Sequence, residues 1–346
     1  MIRLLPALSL LVLPSLTTGP TWAASFDCSK ASTPFEKAIC DNTEISTADE
    51  RLAKAYAFSL AGLSPDAEAA VKKSQQDWLN YAQRACSADN KNVADGTFDE
   101  RMVWCLNQIY SSRLRALEMS RIVNGHRLYP LSTYASYIDS YIEEEPDFRW
   151  PVGRHELTIV QFDSDAEFVP GLNKALRDLG GELSSVGETD LEGDDAPGGE
   201  DATVTIGLQQ LHWNDRISFE VSSQWYPHGA AHGGYSTTYR HYLPSEGRFL
   251  SADDVFEGEN WTLDLAKITA AALEAQLSDI LFPEASTSEG LEDIVGDVER
   301  WNLSNELGLQ IQFQPYEVAA YAYGAPSVFL LWEDLAPLLK EGNPIH

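Results

Sequence analysis

The sequence predicts two domains, an N-terminal all-α helical bundle stapled by disulfides and a C-terminal α+β domain with a mainly antiparallel sheet. Three observations predict this. At 346 residues the chain exceeds what one compact core usually fills. All four cysteines, Cys28, Cys40, Cys86 and Cys105, fall in the first third of the chain, where apolar residues recur at helical spacing. Beyond Arg121 the period shortens, and alternating segments rich in β-branched and aromatic residues take over.

Met1-Ile2-Arg3 followed by the apolar run Leu4 to Leu16 reads as a signal peptide spanning 1–23, with cleavage after Ala23. No cysteine lies near that point, so a lipid anchor is not expected. No later stretch approaches the roughly 20 apolar residues of a membrane helix, so stable membrane insertion is not expected either. These readings place the protein in the periplasm or outside the cell, where disulfides form. The cysteines allow three pairings, and proximity favours Cys28 with Cys40 and Cys86 with Cys105. The spacing lacks a C-x-x-C pair, which argues against zinc.

The helical domain is expected over 24–121. Thr33-Pro34-Phe35-Glu36 reads as a capping box with proline at the first helical position, and Thr47 to Glu50 reads as a second. Leu52, Tyr56, Leu60 and Leu63, then Val71 and Trp78, then Met102, Leu106, Ile109 and Leu117 give three or four amphipathic helices. Residues 122–153, aromatic and punctuated by proline, read as a connector. The α+β domain then occupies 154–346. Strands are expected at Leu157 to Phe162, Thr203 to Gln209, Ile217 to Trp225, Ser236 to Tyr242, Leu309 to Phe313 and Ser327 to Leu331. Helices are expected near Gly171 to Leu179, at Leu263 to Leu281 and at Glu333 to Leu339. Gly180 to Asp201, almost without apolar anchors, reads as an acidic loop. Its Asp190 to Asp195 stretch lacks the closing Glu of a calcium loop.

Chemistry is sparse. There is no G-x-S-x-G, no phosphate-cradling glycine loop and no nucleophile with an evident base, so no catalytic residue, cofactor or metal is assigned. The densest constellation is Trp225 to Tyr235. It sets His228, Gly229, His232, Gly233, Gly234 and Tyr235 between two predicted strands, where glycines expose backbone N–H groups beside side-chain donors. Two histidines alone do not make a metal site. A second cluster, Gln314 to Gly324, sets Tyr316, Tyr321 and Tyr323 beside small residues, and tyrosine gives large contact area at low entropy cost. Both loops are candidate partner-binding surfaces.

Two resemblances give these features a partner. Phe26-Asp27-Cys28, Thr33 to Cys40, Asp49 to Tyr56, Gln76-Asp77-Trp78-Leu79 and Cys105-Leu106 with Arg113 and Leu117 resemble the LprI-type lysozyme-inhibitor domain. Gly229 to Gly234, Gly247 to Phe256 and Phe313 to Ala319 with Tyr321 and Gly324 resemble the RsiV-like domain, which serves as a lysozyme receptor in an anti-sigma factor and accompanies some peptidoglycan deacetylases. Both imply a lysozyme-like glycoside hydrolase as partner, and neither supplies catalytic residues here, so the protein is expected to be a binder and not an enzyme. The formal net charge of −29 agrees, since it repels nucleic acid and steers cationic proteins onto the surface. Peptidoglycan itself is the second candidate partner, with Trp225, Tyr235 and Tyr316 as stacking platforms.

Overall fold

The computed structural model describes residues 24–139, 151–186, 199–212, 216–283, 285 and 287–345. The signal-peptide reading, the Asp190 to Asp195 stretch and much of the expected acidic loop lie outside them.

Local signals start each helix of the N-terminal region. Thr33 and Glu36 form the reciprocal capping box of α1 (Pro34–Asp41), and Asn42 caps α2 (Thr43–Leu60) by accepting from the Glu44 and Ile45 amides. Ser64 caps α3 (Pro65–Ala82) and Asp99 caps α4 (Glu100–Glu118). The box expected at Thr47 is not used. Asn42 starts the helix one turn earlier, and the Thr47 hydroxyl bonds back to the Thr43 carbonyl from inside it. Ile45, Trp78, Tyr81, Leu106, Ile109 and Tyr110 fill the core, with the Trp78 and Tyr110 rings edge to face at 5.0 Å. Cys28 pairs with Cys40 and Cys86 with Cys105, so each bridge ties a loop to the helix beside it.

A seven-stranded sheet follows in sequential order: β1 (Arg121–Val123), β2 (His126–Ile138), β3 (Val152–Asp163), β4 (Glu200–His212), β5 (Arg216–Pro227), β6 (Gly234–Leu243) and β7 (Arg248–Phe249). All pairings are antiparallel except β3 with β4, which are joined through helix α5 (Val169–Leu183). That helix packs Leu172 and Leu176 against Val204, Ile206 and Phe219. A second core forms between α6 (Trp261–Leu277), α7 (Glu292–Gly296), α8 (Trp332–Leu335) and a three-stranded sheet of β8 (Trp301–Asn302), β9 (Gly308–Gln312) and β10 (Ser327–Leu331). The closing helix expected to Leu339 is shorter, α8 giving way to a 3-10 turn at Ala336–Leu338.

Residues 126–138 of the expected connector are strand β2. It is polar for a buried strand because the helical bundle lies along its outer edge and satisfies it. Ser74 donates to the Ser132 carbonyl at 3.0 Å and Asn90 to that of Ser136 at 2.7 Å. Those carbonyls face away from β3, and Pro130 shares their parity, so its missing N–H removes no ladder bond. The bundle is thereby joined to the sheet by a buried polar seam. Tyr81 and Ser112 donate to Glu156, and fully buried Arg113 reaches Gln75, Ser74 and the Tyr134 hydroxyl. Arg127 donates to the carbonyls of Phe58, Ser59 and Ala61, where α2 ends. Burial raises the Glu156 carboxyl above its ordinary value, against the hydrogen bonds that favour its charge.

Candidate functional site

The two loops singled out in the sequence meet in space. Strands β5 and β6 form a hairpin whose tip carries 228–233, and the segment after β9 folds against its side. Gly233 and Gly234 are required by packing. A β-carbon at Gly234 would stand 2.3 Å from the Trp225 ring, and one at Gly233 would stand 2.5 Å from the Trp225 carbonyl. Gly229 turns the tip at a φ of 81°.

The histidines part company. The His228 side chain, expected as a contact, is only 1% exposed and lies between Asp139 at 3.1 Å and Asp201 at 3.6 Å. Burial opposes its charge, but the hydrogen bonds and charges of Asp201 and Asp139 outweigh burial and raise its pKa above 6.5. Asp201 also takes a fork from Arg154. Burial alone would raise the Asp201 carboxyl, yet His228 and Arg154 hold it down to about 2. His228 is therefore a post under the hairpin, its side chain covered rather than presented at the surface.

His232 is exposed and stacks on Tyr321, ring centres 4.3 Å apart. Its Nδ1 is 2.9 Å from the Gly233 carbonyl, and its Nε2 is 3.4 Å from the Tyr316 hydroxyl. Tyr321 donates to the Gly233 carbonyl at 3.0 Å, while Tyr235 meets it edge-on at 6.1 Å and Tyr316 tilts against it at 5.4 Å. One side-chain cluster thus joins His232, Tyr235, Tyr316 and Tyr321. Tyr323, 56% exposed, stands beside it without entering the ring contacts described.

Residues not named as contacts from the sequence hold the second loop in place. The Gln314 carboxamide accepts from the Thr237 amide and donates to its carbonyl, acting as a one-residue strand on the edge of β6 left open by short β7. Arg300 grips Glu317 with two hydrogen bonds, and Glu317 accepts from the Gln314 amide at 2.6 Å. Between these anchors Tyr316 adopts a φ of 72°, a left-handed conformation costing about 1–3 kcal/mol for such a residue. That backbone leaves its ring 56% exposed. The site offers ring faces, a phenol and an imidazole. Among the described residues there is no group of three metal-ligating side chains.

Helices α1 to α4 with both disulfides form one unit of the N-terminal region. Residues 28–117 match the family described as Lysozyme inhibitor LprI. The match begins at the first disulfide cysteine and ends in the last turn of α4, so it covers the whole LprI-like bundle and none of the sheet. Lipoprotein LprI of Mycobacterium bovis and of two Mycobacterium tuberculosis strains are 30% identical over 107 residues, 31% of this chain and 47% of theirs. The chain spans about half the length of the curated relatives it matches. Two crystal structures of DUF3298 family proteins also align. One from Bacteroides fragilis is 18% identical with a TM-score of 0.42, covering 64% of this chain and 95% of that one. Another from Pseudomonas aeruginosa is 15% identical with the same TM-score, over 63% and 96%. Among the described residues no helix is long and apolar enough to cross a membrane.

Proposed function

We propose that this protein is an exported envelope protein that binds lysozyme-like muramidases and inhibits them, protecting peptidoglycan in the periplasm or outside the cell. The observation that carries the reading is the match of the complete disulfide-stapled bundle to a lysozyme-inhibitor family. The charge of −29 supports it, because such a field speeds encounter with a cationic hydrolase. A muramidase cleft carries an acid and a second carboxylate. On the sheet side, His232, Gly233, Gly234, Tyr235, Tyr316, Tyr321 and Tyr323 are the contact candidates, and the imidazole and phenols can donate to carboxylates of that kind. Gly229 contributes through the shape of the hairpin tip. The role of His228 in this reading is to brace the hairpin from below.

Isothermal titration of the oxidised protein against a panel of lysozymes tests the reading. One-to-one binding that weakens with salt, with a drop of about tenfold for His232→Ala and no change in melting temperature, is expected. Silence across the panel overturns it. The exposed Trp225 and Tyr316 rings, 40% and 56% accessible, favour a second reading in which the hairpin binds glycan directly. Retention on purified sacculi without added protein distinguishes that reading.

A further inference from the structure

Among the described residues the sheet covers one side of the LprI-like bundle and leaves the face carrying α2 and α4 open. On the covered side Ser112 meets Glu156, Arg113 meets Tyr134 and Ser74 meets Ser132. On the open side α2 and α4 run alongside each other, Asn107 reaching Glu44 at 3.4 Å and Tyr110 reaching Asp49 at 3.3 Å. Between them lies an open groove of about 420 Å³, lined by Thr43, Glu44, Thr47, Arg51, Asn107 and Ser111 among others. Tyr110, only 1% exposed, lies at the bottom of the groove.

Trp104 extends this surface. It lies one turn before Asn107 and two before Ser111 on the same stripe of α4, and it is 59% exposed, whereas Leu106, Ile109 and Arg113 turn inward. The neighbouring residue, Cys105, is tied to Cys86, so the turn that carries the indole is fixed to the loop after α3. A large ring held on a rigid backbone beside a groove of mixed polar and apolar lining is the anatomy of an interface anchor, because little entropy is lost when a partner covers it. The groove carries both a carboxylate and a guanidinium, so it fits a mixed polar surface, and the acidic remainder of the molecule supplies the attraction for a positively charged one.

We infer that the α2–α4 groove, together with Trp104 on the same stripe of α4, is the face through which the bundle grips a cationic muramidase. The inference rests on the inhibitor reading above. It adds a contact surface on the side of the bundle away from the sheet, separate from the hairpin cluster.

The test uses the full chain and a cationic lysozyme. Ser111→Trp obstructs the groove and Trp104→Ala removes the anchor, both at exposed positions where the fold is not at stake. Each variant is expected to bind about tenfold more weakly with an unchanged melting temperature. Amide exchange in the wild-type protein is expected to slow over 43–51 and 104–114 when lysozyme is added. Wild-type affinity in both variants, with no protection in those segments, overturns the groove while leaving the inhibitor reading intact. Failure of the wild-type protein to bind lysozyme overturns the inhibitor reading and the groove with it.

Discussion

Between residues 24 and 121 acidic and basic side chains nearly balance, whereas beyond 121 acidic ones outnumber basic ones several-fold. The covalent staples show the opposite distribution, both disulfides lying in the balanced part. Long-range attraction and local rigidity are thus built into different regions, joined by the seam around Glu156 and Arg113. In the proposed function the sheet-rich region draws a cationic partner in, and the bundle presents a stiff surface with little charge of its own. Binding should then depend on salt through association rate more than through dissociation rate.

The largest effect is expected at the staples. Cys86→Ser with Cys105→Ser should cost about 3 kcal/mol, the loss expected for a loop of this length, and a scan of thermal unfolding measures it. If the seam couples the regions, the sheet should melt with the bundle in that variant; two separate transitions would show them to be independent. Arg113→Ala acts on the seam itself. It strips the charged donor from Gln75 and Tyr134 and should cost about 2–3 kcal/mol in urea unfolding, with full retention of the disulfides. Thr33→Ala removes one arm of the α1 capping box and should cost about 1 kcal/mol by the same measurement.

The smallest effect is on pH dependence, and it belongs to the sheet-rich region. The raised His228 pKa means that the folded protein holds this proton more tightly than the unfolded chain. Its stabilisation is full below pH 6.5 and is lost as pH rises through the folded value. Burial pushes His241 down to about 3 and His212 to about 4, and these two act in the opposite sense, losing stability as pH falls through 6.5 toward those values. Melting temperatures of the wild-type protein and His228→Gln, compared from pH 5 to 8, isolate the one contribution. The variant should fall furthest below wild type at the acid end, and parallel curves would remove His228 from the account.

What could be read from the sequence followed from local rules. Thr33, Pro34 and Glu36 announce a helix start through bonds within four residues, and the alternation in β4 and β5 reflects one face packed under α5. Of the three disulfide pairings the sequence left open, proximity favoured the observed one, in which each bridge closes a short loop. Strand β2 was hidden because its polar residues and Pro130 suit an edge that only the folded bundle covers. The meeting of the two candidate loops depends on the Gln314 clamp on Thr237 and on Arg300 with Glu317, contacts between residues 77 and 17 apart that no periodicity encodes. His228 looked like its neighbour His232 in sequence. Only the tertiary positions of Asp139 and Asp201 turn one inward and leave the other in solvent. The groove beside Trp104 likewise arises from two helices brought together from different parts of the chain.

The most direct test of the central claim is turnover of purified peptidoglycan by a cationic lysozyme as the oxidised full-length protein is titrated in. A stoichiometric loss of turnover, relieved by high salt and blunted by Ser111→Trp, is expected. Undiminished turnover in the presence of excess protein would contradict it.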